Sequence, residues 1–237
     1  MSKMIVIVPT RSRPEQCKRL IKSFEDTTDN ATLLFVTDGD DDSYEDFDWH
    51  GHGVAEIDPR ASLSQKLNHT VKNIIGDYEE IMWQGDDHEF ITPHWDSRFL
   101  EARAEWGPGW LYPNNHRRSD VPESWSVSRD VVEALGWYAN PVVAHYYLDN
   151  SIAELGKRTG LIRWLPEVEI THHHYSVDKD TEYDGLYKET EQRFGEHDIA
   201  AFQQWRGSNQ VAAIVSLLRR RFNPDVAWVL SKIGQEA

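Results

Sequence analysis

An aspartate pair, Asp86-Asp87, closes an apolar run in the stretch Ile81-Met82-Trp83-Gln84-Gly85-Asp86-Asp87-His88. Adjacent carboxylates after a glycine have three readings: a solvated turn, a general acid/base pair, or hard oxygen ligands for Mg²⁺ or Mn²⁺. A second apolar run ends the same way, in Asp38-Gly39-Asp40-Asp41-Asp42, and three successive histidines, His172, His173 and His174, follow late in the chain. Carboxylates with imidazoles make a mixed oxygen and nitrogen donor set for a divalent cation. A cation so held would clamp a diphosphate and neutralise the charge of one that departs. On an extended segment alternate side chains share a face, so His172 and His174 point together and His173 points away. One of that pair is the expected ligand.

These side chains need a scaffold that brings distant strand ends together. Residues 4–9, 31–37 and 54–58 read as buried β-branched strands, and the run from Glu79 through Phe90 as one more with a loaded end. Between them lie two helical segments. One follows Pro14 with Leu20, Ile21 and Phe24 on one face; the other covers 62–75, capped by Ser62 and stopped by Gly76. Strands alternating with helices predict an α/β fold with a mostly parallel central sheet flanked by helices. Ligands of such sheets sit beyond the carboxyl ends of the strands, where both acidic runs fall. The second half is mixed. Loops and short strands are expected over 106–128, helices over 129–138 and 146–160, then a strand running into the histidines. An amphipathic C-terminal helix is expected to break near Asn223-Pro224. The expected division is a catalytic domain over 1–204 and a helical extension over 205–237.

The 237 residues are 39% hydrophobic, enough for a packed core, and the formal net charge is −15. An acidic chain repels phosphate backbones, so composition gives no nucleic-acid signal. One cysteine, Cys17, excludes an intrachain disulfide. No run approaches the roughly 20 apolar residues of a membrane span, and the N-terminal apolar run is too short for a signal peptide. A cytoplasmic location is expected. The C-terminal helix, with Arg219, Arg220 and Arg221 beside its apolar stripe, offers a face for its own domain, for self-association or for an anionic membrane.

Taken in order, the segments at 5–24, 33–42, 62–90, 146–160 and 171–175 resemble the GT-A glycosyltransferases, closest to the large family-2-like group. The resemblance implies a Rossmann-like GT-A domain that uses a nucleotide-diphosphate sugar and Mn²⁺ or Mg²⁺. It implies donor contacts from the first strand end, Pro9, Thr10, Arg11 and Arg13, where arginine suits a diphosphate through paired hydrogen bonds. Asp38 would hold the nucleotide base, with Lys66 and Asn68 on the following helix. The family's Asp-X-Asp motif reads Gln84-Gly85-Asp86 here, which assigns Asp86 to the metal, Asp87 as a second candidate and His172 or His174 as the late histidine. The family's Glu-Asp motif reads Leu148-Asp149. Asp149 then takes the proton from an acceptor hydroxyl in a single displacement with inversion, although an aspartate there also suits the cap of a helix over 151–155. His116, Arg117 and Arg118 fall in the loop that could close on the phosphates. The acceptor stays open among protein, glycan, small molecule and modified base. Two other functions fit the same elements. One is a nucleotidyltransferase, although "PTRSRPEQ" lacks that class's glycine-rich loop; the other is an inactive nucleotide- or carbohydrate-binding module.

Overall fold

The first strand shows how this sequence builds a sheet with a core on each face. In β1 (Met4–Pro9) the side chains of Met4, Val6 and Val8 enter one core cluster, and those of Ile5 and Ile7 enter the other. That two-sided burial is why the strand reads as an unbroken apolar run. The computed structural model describes residues 3–176, 178–179 and 183–223. After β1 come α1 (Pro14–Thr27), β2 (Thr32–Asp38), β3 (Gly53–Ile57), α2 (Leu63–Ile74), β4 (Glu80–Trp83), β5 (His88–Phe90) and α3 (Trp95–Trp106). Then follow β6 (Trp110–Asn114), β7 (Trp125–Ser128), α4 (Arg129–Leu135), α5 (Leu148–Thr159), β8 (Ile162–His172), α6 (Gly185–Arg206) and α7 (Asn209–Phe222).

The sheet order is β3-β2-β1-β4-β7-β6-β8-β5. The β2–β3, β1–β2, β1–β4 and β6–β8 ladders are parallel. The β4–β7, β6–β7 and β5–β8 ladders are antiparallel. Helices α1 and α3 cover one face, where Leu20, Phe24, Trp95 and Phe99 are buried; α2, α4, α5 and α7 cover the other. Pro14 opens α1 at a position that needs no N–H donor. Ser62 and Gln65 form a reciprocal capping box that starts α2.

The single strand expected over 79–90 is two. β4 lies in the middle of the sheet beside β1, while β5 pairs with β8 at the far edge. Residues 84–87 carry the chain between them, so the acidic motif forms a crossover. Helix α3, on which the sequence reading was silent, follows at once. Its buried face of Trp95, Asp96, Phe99 and Ala102 includes a carboxylate that accepts the backbone N–H groups of Asp29, Asn30 and Ala31 at 2.7–3.1 Å. A charge on the inner face hides the apolar stripe.

The division at 204/205 falls within the last turn of α6. Val211 and Leu218 of α7 are fully buried in the same core as α4 and α5, so the helix's apolar stripe packs on its own chain. The expected continuation past Pro224 lies outside the described residues. Among the described residues no helix is long and apolar enough to cross a membrane.

Candidate metal and donor site

Asp86 and Asp87 are neighbours that do different work. Asp86 turns toward the end of β1, where Thr10 Oγ1 donates to its Oδ2 at 2.8 Å and Arg13 Nη1 to its Oδ1 at 3.0 Å. Burial raises its pKa against the pull of Arg13. Asp87 turns toward β5 and β8. Its Oδ1 lies 3.1 Å from His88 Nδ1, and its Oδ2 lies 3.4 Å from His172 Nε2. Burial opposes its charge too, but His172 and His88 outweigh it and hold the carboxyl well below its ordinary range.

The β5–β8 register sets His88 directly opposite His172. Ligand atoms of Asp87, His88 and His172 come within 4.8 Å of one another. Burial lowers His88 to about 4, helped by the charge on His172. Burial works the same way on His172, but Asp87 on one ring nitrogen and Glu123 on the other, at 3.0 Å, raise it to about 9. His88 Nε2 is buried with no hydrogen-bond partner. A Cβ on Gly85 would stand 2.6 Å from Asp87 Oδ1 and 2.7 Å from His88 Nδ1, so only glycine admits this approach. One carboxylate and two imidazoles, one with an unpartnered buried nitrogen, fit a divalent transition ion such as Mn²⁺; they suit Mg²⁺ less, since it prefers oxygen.

The structure sorts the residues expected at the metal. Asp87 and His172 belong to the cluster. Asp86 has both oxygens engaged by Thr10 and Arg13. His174, just past the end of β8, meets His172 edge to face with ring centroids 5.2 Å apart, so the two do point together; its Nδ1 bonds Ser176 Oγ at 2.8 Å, and it stands outside the Asp87, His88 and His172 cluster. His173 bridges Glu89 and Asp178.

Most of the residues expected at the donor line the carboxyl ends of β1, β2 and β4. Pro9 ends β1 opposite Val36, and Thr10 N bonds Val36 O at 3.0 Å. Asp38, almost fully buried, takes Arg11 Nη1 at 3.0 Å and a hydrogen bond from Lys66. Arg11 also bonds Asp40. Gln84 is fully buried, and both atoms of its side-chain amide lack a partner. Asn68 points elsewhere: its amide holds the backbone of Tyr138 and Ala139.

Asp149 is the second residue of α5. Tyr147, in a left-handed conformation, takes the cap position with no side-chain bond, so Asp149 does not cap the helix. Its Oδ1 accepts the adjacent Asn150 N–H, at 2.7 Å. Burial raises its pKa to about 6, and the charge on Glu123 adds to this. The segment leading into α5 is fixed from α6, because Asp198 accepts the N–H groups of Ala144, His145 and Tyr146, each at 2.8 Å.

No protein-family model matches the sequence. No curated protein is significantly similar to it. Solved structures do match. The mannosyltransferase PcManGT from Pyrobaculum calidifontis, in complex with GDP-Man and Mn²⁺, superposes with a TM-score of 0.57 at 13% identity over 99% of this chain and 76% of its own. S. aureus TarS 1-349 in complex with UDP gives 0.55 at 12% identity over 71% of this chain; the match spans 59% of the TarS chain. CMP:2-keto-3-deoxy-manno-octonic acid synthetase with CTP gives 0.50 at 12% identity over 71% of this chain and 90% of its own.

This is a GT-A fold.

In the GT-A sheet four side chains stand at the site that the sequence reading gave no role. His88 looked like part of an acidic turn. Glu123 comes from the Pro- and Ser-rich stretch before β7; it orients His172, takes Asn115 Nδ2 at 2.8 Å and pairs with Arg117 at 2.8 Å. Asp184 and Tyr187 open α6 and reach Arg13 and Asp87. Of the loop residues His116, Arg117 and Arg118, Arg117 enters this network through Glu123, while His116 and Arg118 pair with Glu169 and Asp120.

Proposed function

We propose that this protein transfers a glycosyl group from a nucleotide-diphosphate sugar to an acceptor hydroxyl, in a divalent-metal-dependent reaction with inversion. The observation that carries this reading is the cluster of Asp87, His88 and His172 at the carboxyl end of a GT-A sheet. Asp87, His88 and His172 would hold the cation, with Mn²⁺ the best fit to their donor set. When bound, it supplies charge neutralisation to the departing diphosphate.

The chain's own residues do the rest. Arg11, Arg13 and Lys66 gather cationic hydrogen-bond donors where the diphosphate would lie, and Asp38 offers a buried carboxylate to the base. Asp149 accepts the acceptor hydroxyl's proton as that oxygen bonds to the anomeric carbon. The bond from that carbon to the diphosphate oxygen breaks with its electron pair on the diphosphate. A carboxylate with a pKa near 6 is ionised at neutral pH and still basic enough to take a proton.

The likeness to a CTP-bound synthetase keeps nucleotidyl transfer as a second reading. The segment after β1 disfavours it, because Thr10 to Gln16 contains no glycine for a phosphate-wrapping loop. Incubation with radiolabelled UDP-, GDP-, CDP- and dTDP-sugars, and in parallel with the nucleoside triphosphates and free sugar acids, each with and without Mn²⁺, decides between them. Metal-dependent release of the nucleoside diphosphate supports glycosyl transfer. Release of pyrophosphate from a nucleoside triphosphate and a free sugar acid, with every nucleotide sugar left intact, would overturn it.

A further inference from the structure

The first turn of α6 lies on the residues that should receive donor and metal. Asp184 caps the helix through its Oδ1, which accepts Tyr187 N at 3.0 Å. Its Oδ2 bridges Arg13 Nε at 3.0 Å and Nη2 at 2.8 Å. Arg13 spends Nη1 on Asp86, so Nε and Nη2 form the edge left for an oxyanion, and Asp184 fills it. The Tyr187 ring lies under the same guanidinium, 4.6 Å from its carbon. The Tyr187 hydroxyl donates to Asp87 Oδ2 at 2.8 Å, the oxygen that also faces His172. One helical turn thus touches the anion-binding edge of Arg13 and the carboxylate of the metal cluster at once.

We infer that this turn is an internal stand-in for the substrates. Asp184 occupies on Arg13 the place of a donor phosphate, Tyr187 occupies on Asp87 the place of the cation, and both must release for donor and metal to bind. The inference rests on the donor-site reading above and adds a regulatory contact to it. Burial shows the direction of exchange. The Arg13 side chain is 9% exposed and that of Asp184 33%, so the fixed arginine stays while the outer carboxylate can be displaced. A phosphate carries more charge and more acceptor oxygens than the carboxylate it would replace. While the turn is seated only a fraction of molecules is open, and the apparent affinity falls by that fraction.

Two conservative variants of the full chain test this. Asp184→Asn keeps the helix cap, since Asn caps as well as Asp, and removes the charge on Arg13. Tyr187→Phe keeps the ring under Arg13 and removes the hydroxyl on Asp87. Titration calorimetry would use MnCl₂ alone, and UDP, GDP and inorganic pyrophosphate in the presence of MnCl₂. Asp184→Asn is expected to bind pyrophosphate and one nucleotide about 3- to 10-fold tighter than the wild type, and Tyr187→Phe to bind Mn²⁺ tighter by a similar factor. Backbone amides of residues 185–190 in the wild type should exchange faster once Mn²⁺ and that nucleotide are added. Unchanged or weaker anion binding in Asp184→Asn, with the wild type binding normally, overturns the stand-in role alone and makes Asp184 a support for Arg13. No binding of nucleotide or pyrophosphate by either form overturns the donor-site reading and this inference together.

Discussion

The imidazoles of His88 and His172 stack across the β5–β8 ladder, with ring centroids 4.1 Å apart and planes 18° apart. At neutral pH one ring is neutral and the other charged. Asp87 lies against both, but only His172 has a second carboxylate, Glu123, on its far nitrogen. The pair is therefore asymmetric by construction, and Asp87 is its hinge.

That asymmetry separates the two aspartates of the motif. Asp87→Asn, His88→Ala and His172→Ala should each weaken Mn²⁺ binding by at least about tenfold, a loss that even the outer partners of metal ligands can cause. Asp86→Asn should weaken it less, because its oxygens serve Thr10 and Arg13. Mn²⁺ titration followed by electron paramagnetic resonance measures both. Equal losses for Asp86 and Asp87 would move Asp86 into the coordination shell.

Gly85→Ala makes a sharper test of the cluster. The added methyl would press on Asp87 Oδ1 and His88 Nδ1, so metal binding should fall severely while urea unfolding changes by no more than about 1–3 kcal/mol, the usual range for overpacking. Undiminished Mn²⁺ affinity would show that Asp87 and His88 can part without consequence.

Asp149 makes a signed prediction about pH. Its carboxyl is raised in the folded state from its ordinary 3.8 to about 6, so folding favours the protonated form. That contribution is fully present below the unfolded value and is lost as pH rises through the folded one. Asp149→Asn, which resembles the protonated form, should be more stable than the wild type by about 1–3 kcal/mol above pH 6, and no more stable below pH 4. As base, Asp149 should give the wild type a transfer rate that climbs through about pH 6, and the Asn variant should bind donor yet transfer none. Paired denaturation curves at pH 4 and pH 8, with a pH–rate profile, settle both halves. A variant less stable at pH 8 would remove the claim that the carboxylate is held under strain.

Far from the chemistry, Glu80 is fully buried in β4 and meets Arg103 Nε and Nη2 at 2.8 and 2.9 Å. Arg103→Leu strands that charge and should cost about 3–5 kcal/mol. Glu80→Met with Arg103→Leu should recover most of the loss. Urea midpoints compare the three chains; a double variant no better than the single one would mean that the pair contributes more than its own desolvation.

The parts of the fold that could be read ahead share one property: local pattern and tertiary role agree. β1 and β2 are buried on both faces and read as apolar runs; α2 carries its own capping box. Where a residue serves a distant partner, the pattern misleads. The run from Glu80 to Phe90 looks continuous because the apolar end of β4 leads through four residues straight into another extended piece, His88-Glu89-Phe90, yet β1 captures one and β8 the other. α3 went unread because Asp96 faces inward to serve another loop. Asp149 and the strand-end arginines could be proposed from motif order. Glu123, Asp184 and Tyr187 could not, because nothing local to them announces a histidine or an arginine far along the chain.

The crossover between β4 and β5 also fixes when the site can exist. The His88–His172 contact joins residues 84 positions apart on the last ladder of the sheet. Loop closure over such a span is slow and is rewarded only once the strands between are in place. On a ribosome, β1 to β4 can assemble while the β8 partner is still unmade, leaving Asp87 and His88 exposed on an unpaired strand. Metal-binding competence should therefore appear late in refolding, after the central sheet. A cation that prefers the finished cluster would act as a final staple on a nascent chain.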